Sequence, residues 1–228
     1  MIFKKPNFWD LKKPNLISYL LLPLTFPIML NNFLLNLKKK VKNNEIKTIC
    51  IGNIYLGGTG KTPTAIKLFE ILKKQNINVA TAKKISPSLI DEKLILENKT
   101  ELLTSTSRTK ILSEAIRNKK ELVIFDDGLQ DSQIIYDLEF VCFDVQNWIG
   151  NGNLIPAGPL REKLNSLRKY NGVFLKNNNR INTSSIIQSI KMHNSEIEIF
   201  ETFVKPINHK KFNLSDNFLI FSGIGNPD

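Results

Sequence analysis

Short apolar runs alternate along this chain with longer stretches in which apolar residues recur every three or four positions. Continuous apolar runs are typical of buried parallel strands, and the wider spacing is typical of amphipathic helices. The predicted strands are residues 49–51, 77–82, 121–125, 138–144, 172–175 and 218–221, and the predicted helices are 64–75 and 111–116. This alternation predicts a doubly wound α/β fold, a mostly parallel sheet flanked by helices.

The first forty residues follow a different pattern. Residues 14–37 carry no charged side chain, and lysines flank them on both sides. Crossing a bilayer takes about 20 apolar residues, whereas Pro23, Pro27, Asn31 and Asn32 interrupt this run. We therefore predict two helical pieces in the membrane interface, as a peripheral or monotopic anchor, with packing on the core and a true span as alternatives. No small-x-small cleavage site follows, which disfavours a signal peptide.

The composition indicates a folded, basic protein. Of 228 residues, 42% are hydrophobic and the net charge is +11, which favours an anionic partner such as nucleic acid, an acidic membrane surface or a phosphorylated substrate. The basic runs contain no RNA-binding signature with interleaved aromatic residues, so no nucleic-acid partner is predicted. Cys50 and Cys142 lie in predicted strands, which predicts two buried thiols, no disulfide and a reducing compartment.

A glycine-rich segment, residues 52–63 (GNIYLGGTGKTP), lies between a predicted strand and a predicted helix. This is the setting of a phosphate-binding loop, in which backbone N–H groups and a lysine contact phosphates and a threonine hydroxyl binds Mg²⁺. The strict pattern asks for glycine where the chain has Tyr55, and the alternative is an ordinary glycine-rich turn. The residues predicted to bind a nucleoside triphosphate are Asn53, Gly57, Gly58, Thr59, Gly60, Lys61 and Thr62.

Two adjacent carboxylates, Asp126 and Asp127, follow the apolar run 121–125. Open α/β sheets bind ligands outside the carboxyl ends of their strands, where a carboxylate suits Mg²⁺. We predict that Thr62, Asp126 and Asp127 form the metal site, one acid holding the ion and the other orienting water or an acceptor hydroxyl. An Asp-Asp-Gly sequence taken alone is more often a surface turn, but its place after a strand favours the metal site.

A third cluster, residues 150–162 (GNGNLIPAGPLRE), concentrates glycine, asparagine and proline in one stiff, exposed loop. Asn151 and Arg161 are the substrate-binding candidates in this loop. The guanidinium group of Arg161 suits a phosphate, while the alternative is a proline-initiated helix start with Arg161 paired to a surface acid.

Together these segments resemble the tetraacyldisaccharide 4′-kinases, the lipid A 4′-kinases of Gram-negative bacteria, over nearly the whole chain. The resemblance rests on residues 8–9, 21–24, 52–63, 126–130, 150–162 and 222–227. The family does not keep glycine at the position of Tyr55. The resemblance implies transfer of the γ-phosphoryl group of ATP, with Mg²⁺, to the 4′-hydroxyl of a tetraacyldisaccharide 1-phosphate lipid A precursor to give lipid IVA. It also implies a place on the anionic surface at the cytoplasmic face of the bacterial inner membrane.

The resemblance implies catalytic roles as well. Lys61 serves the phosphates, Asp126 and Asp127 arrange metal and water, and Asp91 aligns with the family's candidate base, an aspartate supported by a later histidine. From the residues alone, Asp91 fits equally well as a carboxylate at a helix start. The family's Ser-Arg-Gly-Tyr-Gly loop is missing here, and its histidine after Asp-Asp-Gly-x-Gln is Asp131.

We predict three segments along the chain: a membrane-associated segment at 1–44, a P-loop nucleotide-binding domain at 45–170 and the start of a second lobe at 171–228. Family members continue further, so the second lobe is expected to be truncated. Two alternatives follow. One is a degenerate or split-gene remnant that binds ATP without transfer, or that works only with a separately encoded C-terminal fragment. The other is a membrane-associated P-loop ATPase.

Overall fold

A seven-stranded sheet, parallel throughout, forms the centre of the protein. The computed structural model describes residues 5–38, 40–86, 90–131 and 133–205, so the predicted strand at 218–221 and the motif at 222–227 lie outside the described residues. The strands are β1 (Val41–Lys42), β2 (Lys47–Gly52), β3 (Val79–Lys84), β4 (Leu102–Ser105), β5 (Leu122–Asp126), β6 (Ile134–Ile135), β7 (Leu138–Asp144), β8 (Gly172–Lys176) and β9 (Glu198–Thr202). The sheet order is β4-β3-β5-β2-β7-β8-β9, and β1 pairs separately with β6.

The described residues also form six α-helices and three short 3₁₀ segments. The helices are α1 (Leu16–Leu21), α2 (Phe26–Leu37), α3 (Lys61–Lys74), α4 (Ile90–Lys99), α5 (Arg108–Arg117) and α6 (Ser184–His193), and the 3₁₀ segments are Asn7–Asp10, Leu22–Thr25 and Leu164–Lys169. The predicted doubly wound α/β fold is confirmed, because a parallel sheet carries helices on both faces.

Successive residues of the central strand pack on opposite faces of the sheet. In β2, Ile51 packs in a cluster with Ala65 and Phe69 of α3, while Cys50 belongs to the core on the other face with Ile111 of α5. A strand with both faces covered must be apolar at every position, which is why its sequence shows no alternation. Both thiols are buried and free, as predicted, and burial raises the pKa of Cys142 to about 12.

The predicted central elements agree closely with the structure. Strand β7 has the predicted limits, whereas α3 begins at Lys61, three residues before the predicted start. Helix α3 begins there because Gly60, with φ +84°, takes the left-handed conformation immediately before it. Strands β8 and β9 continue the same sheet beyond residue 170, so the predicted boundary at that residue falls within one continuous sheet.

The N-terminal helices carry their apolar side chains on the outside. Leu16, Leu20, Phe26 and Phe33 are all more than half exposed. By length and composition alone, the described stretch Leu16–Leu35 could cross a membrane, and 11% of it is buried. The predicted helical pieces are present, but the Leu22–Thr25 segment joins them with no gap.

Three polar side chains along the same helical stretch face the protein. Ser18 and Thr25 are buried, and Asn32, seven residues further on, donates a 2.8 Å hydrogen bond from Nδ2 to the carbonyl oxygen of Arg161. Residues seven apart lie on nearly the same side of an α-helix. The helices are therefore amphipathic with the polar side inward, the reverse of a helix on the surface of a water-soluble domain.

Close backbone contact between the N-terminal segment and the 150–162 loop predicts a large effect of one methyl group. Gly150 has φ +56°, and a Cβ atom there would lie 2.1 Å from the carbonyl oxygen of Trp9. We expect Gly150→Ala to lower the free energy of unfolding by about 3 kcal/mol, from left-handed strain plus overlap, as measured by urea denaturation. The control is Gly58→Ala, since a Cβ atom at Gly58 meets nothing within 4 Å. Equal losses in the two variants would contradict the close approach.

Candidate active site

The glycine-rich loop connects β2 to the N-terminus of α3. Gly57 and Gly60 have φ values of +157° and +84°, which residues with a side chain rarely adopt. Lys61 and Thr62 form the first turn of α3. The free N–H groups and the dipole of a helix N-terminus favour an anion there, and this strand-loop-helix geometry is that of a phosphate-binding loop.

Polar atoms around the loop are buried without protein partners. Within the described part of the chain, Asn53 Oδ1, Thr59 Oγ1 and Asp126 Oδ1 are buried and make no hydrogen bond. Buried polar atoms are normally paired, so three such oxygens at one loop fit a site that a ligand completes. Mg²⁺ also prefers oxygen ligands of this kind.

Asp126 connects the glycine-rich loop to the neighbouring strands. It ends β5 and is 1% exposed, and its Oδ2 accepts a 2.9 Å hydrogen bond from Thr62 Oγ1. The predicted pairing of a strand-end carboxylate with the threonine of the loop is therefore present, and the surface-turn alternative does not apply to Asp126. Burial raises the pKa of Asp126, although the nearby ammonium groups of Lys83 and Lys61 oppose this.

A buried lysine that the sequence analysis did not identify completes this cluster. Lys83, near the carboxyl end of β3, is 3% exposed and donates from Nζ to Asp126 Oδ2 and Glu92 Oε2, each at 2.6 Å. Burial alone would lower the pKa of Lys83, but the two carboxylates outweigh it and the pKa is raised. Lys83 is therefore a charged ammonium group beside the predicted metal ligand.

Asp127 lies between two arginines. Its φ is +61°, and its Oδ1 faces Arg161 Nη1 at 3.4 Å. Arg108, which is 4% exposed, donates to the carbonyl oxygen of Asp127 and forms an ion pair with Asp131. The contact of Arg161 with Asp127 corresponds to the alternative for Arg161, a pairing with an acid, and the acid is the second aspartate of the site. The contact of Arg161 with a phosphate stays a prediction. Arg108 and Asp131 were not predicted because their partners are distant in sequence.

A network of side chains fixes the 150–162 loop to the glycine-rich loop. Gln130 donates from Nε2 to the carbonyl oxygen of Asn53 at 3.0 Å and to Glu162 Oε1 at 2.9 Å. Tyr170 also donates to Glu162. Tyr55 is buried against Leu154 and Leu160. Tyr55, which stands where the strict loop pattern has glycine, thus packs the two loops together.

Two predicted site residues lie apart from this cluster. Asp91 is exposed in the first turn of α4, as a helix-start carboxylate would be, and its neighbour Glu92 is the residue that contacts Lys83. Asn151 is buried and donates from Nδ2 to the oxygens of Ser18 and Ala157 at 2.8 and 2.9 Å. These contacts hold Asn151 within the fold, and its contact with substrate stays a prediction.

A cavity of about 300 Å³ opens beside the two aspartates. Its lining residues are Lys83, Lys84, Ile85, Ser86, Arg108, Asp126 and Asp127. It lies on the β3 side of β5, whereas the glycine-rich loop follows β2 on the other side. The two aspartates therefore separate a phosphate-binding loop from a cationic cavity, the arrangement needed to bring a nucleoside triphosphate and an acceptor together.

Comparison with known protein families agrees with this geometry. A family profile described as LpxK, tetraacyldisaccharide-1-P 4′-kinase, matches residues 18–228. The chain belongs to the tetraacyldisaccharide-1-P 4′-kinase family. The tetraacyldisaccharide 4′-kinase of Pelagibacter ubique is 50% identical over 99% of this chain and 71% of its own length. That of Rickettsia bellii is 34% identical over 98% of this chain and 72% of its own length.

The fold of the kinase family is also found among solved structures. The crystal structure of the "apo" form of LpxK from Aquifex aeolicus in complex with ATP matches with a TM-score of 0.57 at 23% identity. The match covers 70% of this chain and 59% of the LpxK chain. The chain thus spans less than two thirds of the solved LpxK and about 71% of its P. ubique relative.

Proposed function

We propose that this chain transfers the γ-phosphoryl group of ATP to the 4′-hydroxyl of a tetraacyldisaccharide 1-phosphate, giving lipid IVA. The observation that carries the proposal is the hydrogen bond from Thr62 in the glycine-rich loop to Asp126 at the strand end. This contact supports the proposal, because it joins the glycine-rich loop to a strand-end carboxylate beside a cavity lined by Lys83, Lys84 and Arg108. Membership of the kinase family and the ATP complex of LpxK support the same reaction.

The predicted site residues have separate roles in this reaction. Phosphoryl transfer depends on positioning and on stabilising charge around the transferred group. Lys61 would contact the β- and γ-phosphates, and Thr62 and Asp126 would hold Mg²⁺, which neutralises phosphate charge when bound. Asp127, on the cavity side, would orient the acceptor. Asp91 remains the candidate for the residue that accepts the hydroxyl proton.

We place the enzyme on the cytoplasmic face of the inner membrane, bound to an anionic leaflet. The inward polar face of the N-terminal helices leaves apolar side chains that a bilayer interface would cover. Lysines flank these helices, and each contributes about 1 kcal/mol of attraction when close to an anionic surface. Lysine-rich flanks are typical of the cytoplasmic side.

Vesicle binding should depend on the outward apolar face. We expect the double variant Leu20→Glu/Phe33→Glu to bind vesicles of phosphatidylethanolamine and phosphatidylglycerol at least about tenfold more weakly than the wild type, because two charges would enter the interface. Co-sedimentation measures this change. Met192→Glu is the matched control, since Met192 is 72% exposed on α6. Wild-type binding by the double variant would favour the alternative in which the helices pack on protein.

The enzymatic proposal has a direct test. Purified chain is incubated with detergent-dispersed tetraacyldisaccharide 1-phosphate, Mg²⁺ and γ-labelled ATP, and the lipid is analysed for label. Label at the 4′-position supports the kinase. Release of labelled phosphate without lipid label would indicate an ATPase, and ATP binding with neither product would indicate an inactive remnant.

A further inference from the structure

Lys83 is a buried cation that lies between two carboxylates. Its ammonium group is 3% exposed between Asp126 and Glu92, and its side chain lines the 300 Å³ cavity. Burial of an ion pair costs desolvation and gives little net stability compared with apolar packing. A lysine placed this way beside a metal-binding carboxylate therefore calls for a ligand on the cavity side.

The geometry places Lys83 next to the metal-binding threonine. Thr62 Oγ1 and Lys83 Nζ both donate to the same oxygen, Asp126 Oδ2, at 2.9 and 2.6 Å. The ammonium and the hydroxyl therefore lie within two hydrogen-bond lengths of each other. Metal ions in phosphoryl-transfer sites bridge the β- and γ-phosphates, so a group this close to the metal-binding threonine is within reach of the terminal phosphate.

The two lysines approach Asp126 from opposite sides of β5. Lys61 belongs to α3, which follows β2, and Lys83 belongs to β3, which lies on the opposite side of β5. Both charges act on Asp126. An ammonium group can donate three hydrogen bonds, and the carboxylates of Asp126 and Glu92 account for two of those of Lys83.

We propose that Lys83 is a second phosphate-binding lysine, which contacts the γ-phosphoryl group from the acceptor side while Glu92 holds its side chain in place. The proposal rests on the proposed function. On this view Lys61 binds every nucleotide with a β-phosphate, whereas Lys83 distinguishes ATP from ADP. As the γ-phosphoryl group moves to the acceptor, its charge shifts toward the Lys83 side.

Nucleotide affinity tests the role of Lys83 without depending on turnover. Calorimetry with ATP and with ADP, each with Mg²⁺, should show that Lys83→Ala weakens ATP binding about tenfold, the effect of losing one charge-assisted hydrogen bond, and leaves ADP binding unchanged. Glu92→Gln keeps Lys83 but removes the charge of one of the two carboxylates that it contacts. It should change the ratio of ATP affinity to ADP affinity in the same direction, but by less. The rate of phosphoryl transfer should fall in both variants.

A matched control is available in Lys120, a second buried lysine paired with a partly exposed glutamate, Glu101. It precedes β5 at the opposite end of the sheet, so Lys120→Ala should leave the ATP-to-ADP ratio unchanged. An unchanged ratio in Lys83→Ala, or tighter ATP binding, would overturn the proposal. If Lys83→Ala does not fold, the ratio in Glu92→Gln decides. Wild-type protein that binds neither nucleotide would instead overturn the proposed function itself.

Discussion

Asp127→Ala is expected to slow phosphoryl transfer to the lipid by at least about a hundredfold, the scale on which positioned acid-base and charge-stabilising groups act. ATP affinity should change little, because Asp126 and Thr62 keep their mutual contact and the glycine-rich loop is untouched. The mutation removes only the carboxylate that faces Arg161 at the cavity. Initial rates with labelled ATP, together with calorimetric ATP binding, separate the two effects.

Asp137→Ala is the matched control for Asp127. Asp137 is an aspartate that accepts hydrogen bonds from Thr48 near the amino end of β2, the opposite end of the strand from the candidate site. Its replacement should leave the transfer rate close to that of the wild type. A full transfer rate in Asp127→Ala would remove Asp127 from the mechanism, whereas equal loss of ATP binding and transfer would assign it to nucleotide binding.

Lys61→Ala should weaken the binding of both ATP and ADP by about ten- to a hundredfold, since hydrogen bonds to charged groups contribute about 1.5–3 kcal/mol. The loss includes ADP because the lysine of a phosphate-binding loop reaches the β-phosphate as well as the γ-phosphate. Lipid labelling should fall with it. Displacement of a fluorescent nucleotide measures the affinities.

Lys67→Ala is the control for Lys61. Lys67 lies on the same helix but is exposed and pairs with Glu70, so its loss should leave nucleotide binding unchanged. Undiminished ATP affinity in Lys61→Ala would favour the interpretation of the loop as an ordinary glycine-rich turn.

The central strands and the strand-end position of Asp126 could be predicted because each leaves a local signal. Residues 140–143 form an apolar run, and Asp126 directly follows the apolar run 122–125. Strands β4 and β9 lie at the two edges of the sheet, where their residues are only partly buried. Such strands mix polar and apolar residues, and neither was predicted.

The remaining site residues could not be predicted, since sheet topology brings them together. Lys83 and Asp126 are 43 positions apart and meet because β3 and β5 are neighbours with parallel directions. A lysine within an otherwise buried strand was the available signal, and the sequence analysis left it unused. The hydrogen bond between Asn151 and Ser18 could not be predicted for a related reason, because the two residues are 133 positions apart.

The contacts of Asn32 fix the distance between α2 and the candidate site. Asn32 of α2 bonds to the carbonyl oxygen of Arg161, and the guanidinium group of the same arginine faces Asp127. Arg161 therefore connects α2, the helix that would lie in the lipid, to Asp127, the carboxylate that would orient the acceptor. If α2 lies in a bilayer interface, the candidate site would be held at a constant distance from the membrane surface. Such an enzyme would select hydroxyl groups by their distance from the acyl chains as well as by their chemistry.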